Sequence, residues 1–292
     1  MGGPRRFVDL HTHSTASDGS LPPAQVILAA EGRKLAAVAL TDHDTIAGLE
    51  AASRAAAGLE VKFVPGIEVS ARWPGGTLHL LGLGIDPFGE GIRKLSAGML
   101  QARSDRNPRM LARLRELGIA VEMSDLLAMK GPPGGAGAEG VVVGRLHMAQ
   151  LLVARGAVRT VKEAFDRYLG PGGAAYVDKE RLDPRDVIAA IKSSGGLAVL
   201  AHPVQLGCAN AAQLQRVVKD FADLGLDGIE AYHTDHDDRM TRRCMDLARQ
   251  FGLGVTGGSD FHGQGKPEAT LGKPPVPVAV LTERFRQRLL GM

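Results

Sequence analysis

The sequence predicts an α/β barrel closed around a site at one rim, with a helical module inserted into it. Three observations carry that reading. Short, nearly continuous apolar runs alternate with helical stretches along the 292 residues, as in parallel strands buried on both faces. Eight of the nine histidines fall where such a run would pass into a turn, each beside or near a carboxylate. Those turns are spread over the chain, and closure into a barrel is what brings the C-terminal ends of separated strands to one point. An open sheet would leave its outer ends too far apart.

Strands are expected at 6–10, 36–40, 62–65, 78–85, 198–201, 228–232 and 254–256. Ser20 is placed to cap a helix entered through Pro22-Pro23 and running over 25–34, since proline suits a first helical turn and serine a cap. Further helices are expected at 45–57, 184–193 and 211–224. Residues 1–97 and 176–292 would build the barrel. Residues 98–175 break the alternation and read as a small helical subdomain covering the site, with helices at 103–117, 145–155 and 161–168. The Gly-rich stretch at 131–140 is expected to be a mobile loop. It lacks the GK[ST] and strand-before-helix context of a phosphate-binding loop.

Composition bounds the function. Hydrophobic content is 44% and aromatic content 4%, so the core is built mainly from Ala, Val, Leu and Ile. With 35 basic and 32 acidic side chains the net charge is +3, too balanced for a broad duplex-binding face. No apolar run reaches the roughly 18 residues of a membrane span. The N-terminus runs straight into the first strand, leaving no room for a signal peptide. Cys208 and Cys244 are far apart and in no CxxC, which suits reduced thiols. A cytoplasmic protein is expected, with no membrane and no duplex DNA among its partners.

The histidines and carboxylates point to cations. His11 and His13 alternate on a strand end and project to one face, followed by Asp18. His43 stands in Thr41-Asp42-His43-Asp44 after an apolar run. There Asp42 or Asp44 could orient an imidazole through its free N–H, or Asp44 could cap a helix. Glu68 ends another strand, and a carboxylate, unlike an imidazole, can bridge two ions. His202 tips an apolar strand, and Asp260 and His262 repeat the two-residue spacing behind Gly257-Gly258, glycines that would let backbone approach the ions. His79 is the exception, lying near the start of its run. Nitrogen and carboxylate donors of this kind suit Zn²⁺, Mn²⁺ or Fe, and more than six of them suit a cluster of two or three ions. Glu230 and His233 would stand behind the ligands, or His233 would exchange a proton with substrate. His236 and the neighbouring aspartates read as a solvated helix start. Arg145 and His147 stand at the front of a helix in the insertion, where the guanidinium fork of Arg145 would suit phosphate oxygens or else form a surface salt bridge.

The order HxH…D, TDHD, E, H, H and SDFH resembles the polymerase and histidinol phosphatase (PHP) family over nearly the whole chain. The resemblance implies a distorted (β/α)7 barrel holding two or three divalent cations, Mn²⁺ first, with Fe²⁺ or Zn²⁺ as alternatives. Carried over by motif, His11, His13, Glu68 and Asp260 would hold one cation, Glu68, His79 and His202 a second, and Asp18, His43 and His262 a third. It also implies a hydrolase of phosphate esters, of the stand-alone subgroup resembling nucleotide phosphatases and small exonucleases.

The expected reaction is hydrolysis of a nucleotide phosphomonoester, such as a 3′,5′-bisphosphate, by hydroxide that clustered cations make available near neutral pH. Arg145 and His147 would steady the phosphate, and His233 or Asp42 would protonate the leaving oxygen. Three alternatives use the same residues: a 5′→3′ exonuclease on short oligonucleotides, a histidinol-phosphate phosphatase and a non-catalytic metal-binding module. One Trp, three Tyr and eight Phe leave few stacking platforms for a single strand, which favours a small substrate.

Overall fold

The computed structural model describes residues 6–129, 143–178 and 181–292. β1 (Phe7–Asp9) pairs in parallel with β2 (Ala37–Leu40), and β2 with β3 (Lys62–Ala71). β4 (Leu78–Leu83) runs antiparallel to both β3 and β5 (Leu197–Leu200). β5, β6 (Gly228–His233) and β7 (Gly254–Gly258) are parallel again. A two-residue β8 (Val276–Pro277) lies antiparallel on the first half of β1. The far end of β1 turns to β7, where the Leu10 N–H donates to the Gly257 carbonyl at 3.1 Å and the Asp260 N–H to the His11 carbonyl at 2.9 Å. Those bonds close the ring.

The antiparallel β4 corrects an all-parallel expectation and accounts for His79. Because β4 runs against both neighbours, its beginning lies at the rim where the other strands end, and Ser70 pairs with His79. β3 also continues past its expected end at Pro65 through Glu68 to Ala71, so Glu68 sits within a strand rather than at its end.

Two apolar layers hold the barrel. Inside it, Val8, Ala39, Val64, Leu81, Leu83 and Val199 meet Phe285, the last residue of the short α10 (Glu283–Phe285), and Leu289 beyond it. A Cβ on Gly228 or Gly254, at the starts of β6 and β7, would fall 2.7 and 2.3 Å from the Phe285 ring, so those glycines admit the plug. Outside it, helices lay apolar stripes on the strands. α7 (Pro184–Ser193), α8 (Ala211–Asp223) and α9 (Asp238–Phe251) begin with caps from Asp183, Asn210 and Asp237, each accepting from an otherwise unpaired N–H of the first turn. Their Val187, Ile191, Val218, Phe221 and Leu247 join one core with Val38, Ile67 and Leu200.

Three local expectations are corrected. Ser20 does not cap α1 (Pro23–Gly32); its Oγ accepts from the Gln264 N–H at 2.9 Å and ties two rim loops together. Asp44 caps no helix, since α2 (Leu49–Ala56) starts five residues later and Asp44 has φ +60°. Gly257 and Gly258 serve strand packing: a Cβ on them would fall 2.5 Å from Tyr232 Cβ and 2.4 Å from His11 Cβ.

The segment after β4 has a core of its own. α3 (Glu90–Glu116) includes the expected helix 103–117 as its second half. Its Ile92, Leu95 and Met99 belong to the barrel's outer layer. Its Met110, Leu111 and Leu114 pack instead with residues of α4 (Met123–Ala128), α5 (Arg145–Ala154) and α6 (Val161–Ala164), and with Leu169 and Val177. The helix expected at 161–168 gives way at Phe165 to a wider turn, Phe165–Leu169. The Gly-rich loop at 131–140 lies outside the described residues.

Candidate metal centre

Strand ends from around the barrel converge on Glu68, which is fully buried. Its Oε1 lies 2.8 Å from His79 Nδ1, 2.9 Å from His202 Nε2 and 3.4 Å from His11 Nε2. Its Oε2 lies 2.7 Å from His43 Nδ1 and 3.3 Å from His13 Nε2. Asp260 Oδ1 stands 3.2 Å from His13 Nε2 and 3.4 Å from His11 Nε2. Asp18 closes the other side, 3.3 Å from His262 Nε2 and 3.9 Å from both His13 Nδ1 and His43 Nε2. All nine residues expected as ligands are therefore in one cluster.

Donor atoms of four subsets lie within 4.8 Å of one another: His11, His13, Glu68 and Asp260; His13, Asp18, His43 and His262; His43, Glu68 and His79; and His11, Glu230 and His233. The first two match expected ligand sets, the second with His13 added. His202 reaches the third through its 2.9 Å contact with Glu68 and a 3.3 Å approach to His79.

The donors fit cations. Buried nitrogen and oxygen atoms seldom lack a hydrogen-bond partner, yet His11 Nε2, both ring nitrogens of His13, Asp18 Oδ1 and His202 Nδ1 find none among the described residues. The protonation tendencies agree. Burial, reinforced by His262 and His43, pushes His13 down to about 3, and burial takes His79 down to about 4. These rings are neutral donors at neutral pH, as a metal ligand must be. Burial alone would raise the carboxylates, but the surrounding imidazoles hold Asp18, Glu68 and Asp260 well below the ordinary range. Against burial, Asp18 and Asp260 lift His262 to about 9, and Glu68 and Asp18 lift His43. Without a cation these acids take protons on neighbouring rings as their counter-charge.

Strain and hydrogen bonds aim the donors. Among the described residues, Asp44, His202 and Asp260 are three of the four non-glycine residues with positive φ, at +60°, +26° and +55°, a conformation costing of order 1–3 kcal/mol and held only where surroundings impose it. Glu230 holds the site from behind. Its Oε1 lies 3.1 Å from His11 Nδ1 and its Oε2 accepts from the His202 N–H at 2.8 Å, so His11 offers Nε2 to the cluster. His262 is set likewise, its Nδ1 bonding the Asp260 carbonyl at 2.8 Å. His233 Nδ1 accepts from the Asp235 N–H at 3.0 Å, which leaves the proton of a neutral ring on Nε2, 3.6 Å from Asp260 Oδ2. Asp42 meets no imidazole here. It accepts from the Ser14 N–H and from the Ser14 and Ser17 hydroxyls at 2.6–2.7 Å, and so holds the loop that carries His13 and Asp18.

Beside His79 opens a pocket of about 300 Å³ lined by Arg103, Arg106, Arg145, Arg181, Trp73 and Tyr176 among others. The Arg145 guanidinium lies 5.7 Å from the centres of both the Phe165 and Tyr176 rings, contacts that hold a cation in place. Arg106 is buried against Asn107. Burial and its neighbours Arg103 and Arg145 bring it down to about 9, still cationic at neutral pH. Arg103 donates through Nε to Asp44 Oδ2 at 2.8 Å. His147 is not among the residues lining this pocket; it is buried, and its Nδ1 accepts from the Gly144 N–H at 3.1 Å, capping α5. Arg103, Arg106 and Arg181 were not singled out in the sequence. The signal was Arg103 and Arg106 three apart on a long helix, hence on one face. Lys266 was missed as well: its Nζ stands 2.9 Å from Asp260 Oδ2 and 3.3 Å from Asp235 Oδ2.

Residues 9–174 match the model of the PHP domain. The chain belongs to the PHP family. It is 35% identical over 92% of its length, and 93% of the relative's, to a 3′,5′-nucleoside bisphosphate phosphatase of Chromobacterium violaceum. It is 34% identical to a 5′-3′ exoribonuclease of Haemophilus influenzae, over 87% of this chain and 89% of that one. Among solved structures, an amidohydrolase from Chromobacterium violaceum with bound sulfate superposes with a TM-score of 0.85 at 33% identity, covering 97% of this chain and 95% of that one. A candidate metal-dependent phosphoesterase from Bifidobacterium adolescentis gives the same TM-score at 31% identity, with 99% of each chain covered. This PHP protein is thus a metal-dependent phosphoester hydrolase on a distorted barrel. Among the described residues no helix is long and apolar enough to cross a membrane.

Proposed function

We propose that this phosphoesterase removes one phosphate from a nucleotide that carries a second, a 3′,5′-nucleoside bisphosphate being the model substrate. The observation that carries this is the arginine pocket beside the histidine cluster. The cluster suits the phosphoryl group under attack, and the guanidiniums of Arg106 and Arg145, flanked by Arg103 and Arg181 on their carboxylate partners Asp44 and Asp178, suit another anion held a short way off. The name of the Chromobacterium violaceum relative supports the same reading. A histidinol phosphate would bring its ammonium group against the same guanidiniums, which disfavours it. A pocket of about 300 Å³ takes a mononucleotide more readily than a longer chain.

In this reading His11, His13, Asp18, His43, Glu68, His79, His202, Asp260 and His262 hold two or three divalent cations, with Mn²⁺ proposed first because mixed nitrogen and carboxylate donors accommodate it. When bound, such cations supply activated water and neutralise charge developing on the phosphoryl oxygens. Glu68 spans the cluster and would be shared between cations. Glu230 fixes the His11 ring through Nδ1. Arg145, stacked between two rings, and Arg106, buried and with no carboxylate partner among the described residues, hold the second phosphate. His233, with its proton on Nε2 beside Asp260, would protonate the departing oxygen, a role to which Asp42 is less suited because its oxygens are taken up by Ser14 and Ser17. Residues 98–175 act as a cap that supplies Arg103, Arg106 and Arg145. We propose a cytoplasmic location, where nucleotides are available and two unpaired thiols stay reduced.

The test is phosphate release by the full chain loaded with Mn²⁺, from adenosine 3′,5′-bisphosphate, histidinol phosphate and a 5′-phosphorylated pentanucleotide. Turnover of the bisphosphate well above the other two is expected, with loss of turnover but retention of fold after chelation. Absence of phosphate release from every nucleotide bisphosphate would end the proposal.

A further inference from the structure

On the same rim as the metal cluster, but outside the barrel, a second cleft of about 540 Å³ lies between α8 and α9. Its inner wall is the short turn Pro203–Leu206, which begins directly after His202. That turn is a partition. The Gly76 and Thr77 N–H groups and Trp73 Nε1, all in the wall of the arginine pocket, donate to the Leu206 and Gln205 carbonyls at 2.7–2.9 Å. Pro203 and Val204 line the second cleft.

The cleft has two chemistries. Its apolar lining is Pro203, Val204, Ala211, Leu214 and Met240, with Val204 38% exposed. Its edge is cationic: Arg239, Arg242 and Arg243 follow one another at positions i, i+3 and i+4 of α9, hence on one face. The two carboxylates there are engaged, Asp237 with the Met240 N–H at 2.7 Å and Asp246 with Arg249 at 3.1 Å. No acidic side chain pairs with Arg239 or Arg242 among the described residues. Arg243 is pinned by its Nη2 bond to the Ala211 carbonyl at 2.9 Å, and its Nε is buried with no hydrogen-bond partner. Unneutralised guanidiniums over an apolar bed suit a planar apolar group bearing phosphate.

We infer that this cleft binds a nucleoside monophosphate unit, its base on the apolar lining and its phosphate on Arg239, Arg242 and Arg243. The unit comes either as a free nucleotide or as the next residue of a short chain whose end sits at the cluster. The cleft's chemistry stands by itself. Only the second source rests on the proposed nucleotide specificity.

The experiment uses the full chain and the double variant Arg239→Glu/Arg242→Glu, both exposed positions, with calorimetric titration of 5′-AMP and of a 5′-phosphorylated adenosine trinucleotide with phosphorothioate links. Each is repeated in an Arg106→Ala background that weakens the arginine pocket. For a free nucleotide, 5′-AMP still binds Arg106→Ala protein, and the two charge reversals weaken that binding by about tenfold or more, as expected on losing charge-assisted contacts. For a chain, the trinucleotide loses that factor in otherwise wild-type protein while 5′-AMP does not. Unchanged affinity for both ligands in the double variant overturns the inference. Failure of the nucleotide reading is seen separately, as absent phosphate release by wild-type protein.

Discussion

Glu68→Gln isolates the feature on which the centre depends. The substitution keeps the shape of a side chain that has no exposed surface and removes one negative charge. At the 3.3 Å separating Glu68 Oε2 from His13 Nε2, with an effective dielectric of about 20, each unit of cationic charge in that space interacts with the carboxylate by about 5 kcal/mol. Glutamine still offers a carbonyl oxygen, so only part of this is lost. Half of it, about 2.5 kcal/mol, corresponds to nearly a hundredfold in binding or rate. The variant should keep its secondary structure, because Glu68 makes its close contacts with the imidazoles rather than with the apolar core. It should retain fewer Mn²⁺ ions per chain after gel filtration, counted by elemental analysis, and should release phosphate from adenosine 3′,5′-bisphosphate about a hundredfold more slowly or worse. Wild-type metal content and turnover in the Glu68→Gln protein would refute both the shared-ligand role and the magnitude assigned to its charge.

Three more outcomes follow from the same geometry. Arg145→Ala should raise KM for the bisphosphate about tenfold or more with a smaller change in kcat, since the guanidinium grips an anion away from the reacting bond; steady-state kinetics decides, and unchanged KM would assign Arg145 to packing between Phe165 and Tyr176. Glu230→Ala should weaken Mn²⁺ binding by about 10–100-fold, the usual cost of losing a partner that orients a ligating histidine, and a metal titration giving wild-type affinity would contradict the bond to His11 Nδ1. The Cys244 thiol is fully buried and pushed up to about 12 by burial. It is therefore almost wholly protonated at pH 8, and iodoacetamide should label Cys208 alone until the protein is unfolded; rapid labelling of native Cys244 would show that its site opens.

Much of this protein was legible in the chain. Short apolar runs placed β1 to β7, and the expected ligands converge because parallel strands in a closed barrel end at one rim, His79 alone arriving there from the start of the antiparallel β4. Other features were not legible, and for physical reasons. Nothing local tells that the run holding His79 turns back against its neighbours, since direction is set by which strand it pairs with. Ser20 looked like a cap because the sequence around it suits one, yet Gln264, far along the chain, took its hydroxyl. Asp42 reads from the sequence as a candidate proton donor, but nothing there tells that Ser14 and Ser17, 28 and 25 residues away, donate to its oxygens.

Residue types and their spacing alone determined the chemistry: imidazole and carboxylate at strand ends supply cation ligands wherever a barrel gathers them. Tertiary structure alone decided how those groups are used. It placed Glu230 behind His11, set Lys266 on Asp260, and brought arginines from a separately packed helical segment into the wall of one pocket beside His79. Bond geometry within a few residues fixes which donors a strand end presents. Which of them meet, and what lies across from them, depends on contacts between segments a hundred or more residues apart, such as His11 with Glu230.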